Sequence, residues 1–201
     1  MTSEHTGAPS AVHGAHSAER ALVTVRGVIR DHQRRVLVVR LAPDRGPAGS
    51  EYLYLPGGTV NKGESPGQAV VREVREELGL TGLPAGRLLL TAWSQARYQQ
   101  LRPRLQLLFD LGRHHHDDLS DRIVLQTEEV SGYDWLDTRG VRRYLYPAQA
   151  EQLDAIAERR LYLEQQPVPR PEHVVTVAVP DSGRDGARRE GPATTVDQTR
   201  H

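Results

Sequence analysis

Polar and apolar residues exchange places at changing rhythms along this chain, and each rhythm predicts an element. From Ala21 to Arg30 the two classes alternate closely enough for a strand, and Arg35 to Leu41 (RVLVVRL) reads as its partner across a hairpin turn at Asp31 to Arg34. A loop punctuated by Pro43 and Pro47 leads to a short strand at Tyr52 to Leu55, which Pro56-Gly57-Gly58 breaks. The rhythm then turns helical. Ser65 supplies an N-cap oxygen, Pro66 a pre-set first position and Gly79 a left-handed exit, so a helix is predicted from Pro66 to Leu78. Arg87 to Ser94, Leu105 to Leu111 (LQLLFDL) and Gly132 to Leu136 are apolar runs of strand length. Pro147 to Leu163 opens on proline and spaces Ala150, Leu153, Ile156, Ala157 and Leu161 for one face, which predicts a helix packed over the sheet.

Strands alternating with helices and no internal repeat make a layered α/β domain with a mixed sheet the economical architecture, here over residues 20–166. Residues 1–19 are rich in Ala, Gly, Ser and His, and 167–201 in Pro, Gly, Arg and Asp, without periodicity. Both are expected to be disordered tails, except that His173 to Val179 (HVVTVAV) has the content of a strand able to pair with a sheet edge.

Composition narrows the chemistry mostly by exclusion. Lys+Arg and Asp+Glu are equal at 26 each, so the whole-chain field gives no reason to expect a nucleic acid or an anionic membrane as partner. Without any cysteine there are no disulfides, thiolate zinc sites or cysteine nucleophiles, and a metal must sit on oxygen or imidazole. The first residues lack the apolar run of a signal peptide, and no stretch approaches the roughly 20 apolar residues of a membrane span, so a cytoplasmic protein is expected.

The chemistry concentrates in Leu55 to Leu80, LPGGTVNKGESPGQAVVREVREELGL. At about 100° per residue Val70, Val71, Val74 and Leu78 share one side of the predicted helix, while Glu73, Glu76 and Glu77 gather on another. Neighbouring like charges destabilise an isolated helix. Arg72 and Arg75 compensate in part, but a hard divalent cation does so better, because Mg2+ takes carboxylate oxygens and keeps water and phosphate as its other ligands. A solvated acidic face is the bland reading of an arbitrary EVREE string. The adjoining Gly57-Gly58 pair would let a main-chain carbonyl come close to a metal or phosphate, although read alone it is an ordinary turn, and the spacing of the whole stretch is what matters.

Gly58, five residues, Glu64, seven residues, then Arg72-Glu73-Val74-Arg75-Glu76-Glu77-Leu78-Gly79-Leu80 is similar to the Nudix box at every defined position. With each fixed residue at a frequency of roughly 5 to 7%, a chance match is on the order of one in ten million. The elements on either side also resemble the Nudix α/β/α sandwich. The resemblance implies a hydrolase that uses Mg2+, with Mn2+ as the alternative ion, to direct water onto phosphorus in the diphosphate of a nucleoside diphosphate linked to another group. It implies that Glu73, Glu76 and Glu77, with the carbonyl of Gly57, hold the metal, that Arg72 braces the glutamates, and that Glu64 completes the brace beside Gly58.

Outside the box the resemblance speaks more quietly. Glu128 and Glu129 stand where several Nudix enzymes carry an extra ligand or base, so Glu129 joins Glu73 as a candidate proton acceptor. Tyr98 lies roughly where a tyrosine marks dinucleoside polyphosphate hydrolases, and Trp93 and Trp135 are candidates to stack on a base, although all three are also ordinary sheet residues. His114 to His116 with Asp117 and Asp118 reads as a solvated turn or a contact for metal or phosphate. Homodimers are common in the family, and no apolar stripe argues for one independently. Isopentenyl diphosphate isomerase shares the sandwich but needs a cysteine. The remaining alternative is a non-catalytic module that senses a nucleotide, and such modules commonly lose box glutamates that are intact here.

Overall fold

The computed structural model describes residues 20–45, 51–95 and 102–165. Strands β1 (Leu22–Asp31) and β2 (Val36–Leu41) form the expected hairpin, followed by β3 (Leu53–Tyr54) and helix α1 (Pro66–Leu78). Then come β4 (Leu88–Ser94), β5 (Arg104–His114), α2 (His116–Ser120), β6 (Val130–Leu136), α3 (Thr138–Tyr144), α4 (Pro147–Ala157) and β7 (Tyr162–Gln165). One sheet runs β3-β2-β1-β5-β4-β7, with β6 also paired to β2. It is mixed: β1 lies parallel to β5 and β4 to β7, whereas β1 to β2 and β4 to β5 are antiparallel.

The period-two alternation sorts the sheet into two apolar faces. Val25, Ile29, Leu37 and Val39 pack against Val70, Val74 and Leu78 of α1. Val28, Val36, Val38 and Leu108 pack against Val141 of α3 and Ala155 of α4. The result is an α/β/α sandwich, in which central strands are covered on both sides and therefore read as nearly continuous apolar runs.

Helix α1 has the predicted bounds because both of its ends are specified locally. Ser65 accepts from the Gln68 amide while the Gln68 side chain accepts from the Ser65 amide, a reciprocal capping box, and Gly79 leaves the helix at φ 67°. A side chain at Gly79 would also press on the Val124 carbonyl.

The last predicted helix is corrected. Helix α4 stops at Ala157, and Tyr162–Gln165 forms β7 beside β4, leaving Leu161 79% exposed rather than on a core face. Its most buried face carries Gln149, Gln152 and Ala155; Ala150, Leu153 and Ile156 are half-buried and Ala157 is exposed. Buried glutamines are tolerated because they are paired. Gln152 Nε2 donates to Gln106 Oε1 and Gln165 Oε1 at 2.7 Å each, and Gln149 Oε1 accepts from the Leu55 amide at 2.7 Å. Two short helices were not foreseen: α2, which takes His116 out of the expected turn, and α3, capped by Asp137 through the Gly140 amide at 2.7 Å. The strand expected at His173 to Val179 lies outside the described residues. Among the described residues no helix is long and apolar enough to cross a membrane.

Candidate active site

The glycine loop is strapped along β1. Gly27 donates to the Pro56 carbonyl and Val25 to that of Gly58, both at 2.8 Å, and Val60 donates to Val23 at 3.0 Å. Strapping this close leaves no room for side chains. At Gly57, with φ 135°, a Cβ would run into the Val25 carbonyl; at Gly58 it would meet the Glu73 carboxylate, 2.5 Å from Oε1 and 2.7 Å from Oε2. The loop therefore holds main-chain groups against the acidic side of α1.

On that side the three glutamates face different ways. Glu77 turns inward, is 5% exposed, and its Oε2 accepts from the Gly57 amide at 2.8 Å. Burial pushes its carboxyl up to about 8, with the Arg26 charge and the Gly57 N–H acting against the rise and Glu73 and Glu129 adding to it. Glu73 is half-buried and is also raised, first by burial, against the pull of Arg72. Glu76 is the most open and reaches Arg72 Nη1 at 2.7 Å. Of the valines expected on the apolar side, Val71 is only half-buried, and Ala69 and Glu77 are buried in its place.

Arg72 meets three acids at once, Glu64, Glu73 and Glu76. Its Nε and Nη2 take the two oxygens of Glu64 at 3.0 and 2.7 Å, Nη1 lies 2.9 Å from Glu73 Oε1, and Nη2 also donates to the Thr59 carbonyl at 3.0 Å. The planar fork suits such a set, and an ammonium would not. Held by Arg72 first and the Asn61 amide second, the Glu64 carboxyl drops to about 2.

Glu129 lies just before β6, half-buried, 3.8 Å from Arg45, and close enough to add to the negative field on Glu73 and Glu77. Glu128 is exposed. Trp93 is half-buried on β4 between Leu105 of β5 and Glu164 of β7, two strands from β1. Trp135 belongs to the core and gives its indole N–H to Ser120 Oγ at 3.1 Å, so it is not a free stacking surface. Tyr98 lies outside the described residues. His115 and His116 join Asp31, His32, Gln33, Asp117 and Asp118 around a separate open cavity of about 320 Å³, with the His32 and His115 rings 4.3 Å apart.

Sequence reasoning missed two features. Arg26 of β1 donates through Nη1 to the carbonyls of Gly57 and Leu55, and its Nε is buried without a hydrogen-bond partner. The available signal was one charge in LVTVRGVI, a strand otherwise apolar enough to be buried on both faces. Tyr146, ahead of α4, stacks on Tyr54 with centroids 5.5 Å apart and meets Tyr52 edge-on at 5.9 Å.

Among the described residues no three carboxylate or imidazole side chains already stand as a cage for an ion. The donor chemistry nevertheless fits a hard divalent cation. Glu73 fills the space beside Gly58, Glu77 is a buried carboxyl whose ionised form lacks a full counter-charge, and all the donors are oxygens.

A model of the NUDIX domain matches residues 20–159. An 8-oxo-dGTP diphosphatase of Escherichia coli (strain K12) is 44% identical over 55 residues, 27% of this chain and 41% of that protein, so the match spans less than half of the curated relative. Two similar solved structures are a MutT protein from Methanosarcina mazei Go1 and a NUDIX hydrolase from Nitrosomonas europaea. The first has a TM-score of 0.58 at 24% identity, covering 70% of this chain and 96% of that one. The second has 0.52 at 27%, covering 71% and 93%. The likeness to the Methanosarcina protein is one of fold.

Proposed function

This chain belongs to the Nudix family, and on that premise we propose that it is a pyrophosphohydrolase cleaving the diphosphate of a nucleoside diphosphate linked to another group. The observation that carries the reading is the convergence of Glu73 and Glu77 on the backbone of Gly57 and Gly58, with Arg72 clamped between Glu64 and Glu76. An inert acidic helix face would point its carboxylates at water. Here two of the three point at a glycine loop. The catalytic domain is taken as 20–166, which contains the matched residues.

Glu73, Glu76, Glu77 and the Gly57 carbonyl are the groups to hold Mg2+ or Mn2+, which when bound supplies charge neutralisation on the diphosphate and a more acidic water. The protein's share is orientation. Arg72 fixes Glu73 and Glu76 through charge-assisted hydrogen bonds, and Glu64 fixes Arg72, so the carboxylates do not have to be ordered anew when substrate arrives.

Two carboxylates are the candidates to take the proton of the attacking water. Glu129 is solvent-accessible and faces the same acidic field as Glu73, while Glu73 sits against the loop itself. A fall in turnover for Glu129→Gln as deep as that for Glu73→Gln assigns Glu129 as the base. The reading as a whole is tested with nucleotide sugars, dinucleotides, ADP-ribose and oxidised nucleoside triphosphates, each with Mg2+ and Mn2+, with products identified by mass. Ion-dependent cleavage of a diphosphate supports it. Tight binding without products would make the chain a nucleotide-sensing module instead.

A further inference from the structure

Arg26, half-buried on β1, touches the glycine loop, and the carbonyl it holds is the one the proposed function assigns to the metal. Nη1 donates to the Gly57 oxygen and, at 3.3 Å, to the Leu55 oxygen. Loss of water works against the guanidinium's charge, Glu77 favours it, Arg104 repels it and Glu73 favours it. Arg26 therefore lies in the field of the same two carboxylates, and takes the same backbone oxygen, that a divalent cation would use. Two cations on one carbonyl oxygen in a partly buried site repel each other strongly, because little water lies between them to screen the charges.

We propose that Arg26 is a built-in competitor for the divalent-cation position, so that the guanidinium and the ion take the Gly57 carbonyl in turn. Binding of the ion displaces the side chain, and the bond to Gly57 keeps the loop shaped when the ion leaves. Its unpartnered Nε–H is consistent with a side chain that has a second place to go, since a guanidinium built only as a strut would normally pair every buried donor. The inference rests on the pyrophosphohydrolase reading only for the identity of the carbonyl ligand.

The test is Mn2+ binding to the full chain without nucleotide, followed by calorimetry and by loss of the free-ion spin-resonance signal. The proteins are wild type, Arg26→Gln, Arg26→Met and Arg104→Gln; the last removes one equal charge from the neighbouring strand and leaves the carbonyl contact intact. Both Arg26 variants are expected to bind about tenfold tighter, the scale of one charge-assisted hydrogen bond no longer competing, with Arg104→Gln within about twofold of wild type. Equal or weaker binding by the Arg26 variants overturns the competition, and so does an equal gain in Arg104→Gln, which would reduce the effect to net charge. No Mn2+ binding by any of the four proteins would sink the metal site itself, a failure distinct from wild-type binding with no gain in the variants. If the Arg26 variants do not fold, wild type decides the matter through hydrogen exchange of the Arg26 Nε–H. Added Mg2+ should accelerate exchange as the side chain is released, and unchanged or slower exchange would overturn the proposal.

Discussion

The Gly57 amide donates to Glu77 Oε2 at 2.8 Å, tying the last turn of α1 to a loop 20 residues earlier in the chain. The bond fixes the carboxyl of a buried side chain on which Arg26, Glu73 and Glu129 also act. Glu77→Gln keeps an acceptor for that amide and removes a carboxyl whose ionised form burial disfavours, so the variant should fold and melt, without added ions, no lower than wild type. Mg2+ at about a hundred times its Kd should stabilise wild type by roughly 2.7 kcal/mol and the variant by far less. Thermal melts with and without Mg2+ check both statements, and an equal shift in the two proteins would place the ion elsewhere.

Arg72 joins Glu64, Glu73 and Glu76 through one planar group. Lysine keeps the charge but cannot present the fork, so Arg72→Lys should lower kcat by about 10- to 100-fold, the usual effect of losing a group that orients metal ligands. Circular dichroism should be unchanged. A kinetic loss confined to KM would mean that Arg72 binds substrate rather than positions carboxylates.

Gly58→Ala places a methyl 2.5 Å from Glu73 Oε1. The carboxylate must move, because the backbone of the loop is held to β1 by hydrogen bonds. Displacement of a catalytic group by about 1 Å costs on the order of a hundredfold in rate, so activity should fall by about that much with only a small loss of stability. Steady-state kinetics beside a denaturation curve measures the two separately.

Glu64 has a carboxyl lowered to about 2 by Arg72 and the Asn61 amide. A folded value below the unfolded one contributes stability that is complete above the unfolded value of 4.5 and is lost as pH falls toward about 2. Asp31 is lowered as well: burial raises it, but the Arg35 side chain and amide, at 2.6 and 2.8 Å, outweigh that. Wild type should therefore weaken progressively through the acid range, and Glu64→Gln should weaken less steeply there. Parallel acid limbs in urea denaturation would show that the Arg72 pair does not survive in solution.

Local rules made some of these elements readable and left others hidden. Helix α1 carries its start and stop in Ser65, Gln68, Pro66 and Gly79, so its bounds depend on nothing distant. The spacing from Gly58 to Glu77 pointed to the candidate site through its resemblance to the Nudix box, which lies within one contiguous stretch. The face of α4 could not be read this way, because Gln149 and Gln152 are buried only by virtue of partners on Leu55, Gln106 and Gln165, remote in sequence. Strand β7 was absorbed into the preceding helix because its four residues exist as a strand only against β4. Arg26 was invisible as a site residue until the loop was seen to lie along β1.

The most direct measurement is the Mg2+-dependent kcat of Glu76→Gln against wild type, on whichever nucleoside diphosphate compound the substrate panel shows to be cleaved. Glu76 is the most exposed of the three helix glutamates, and glutamine keeps its shape, so the variant loses a charge and little else. The account predicts a fall of at least about a hundredfold with an unchanged fold, the scale on which removing one electrostatic stabiliser acts. Turnover within a few-fold of wild type would contradict it.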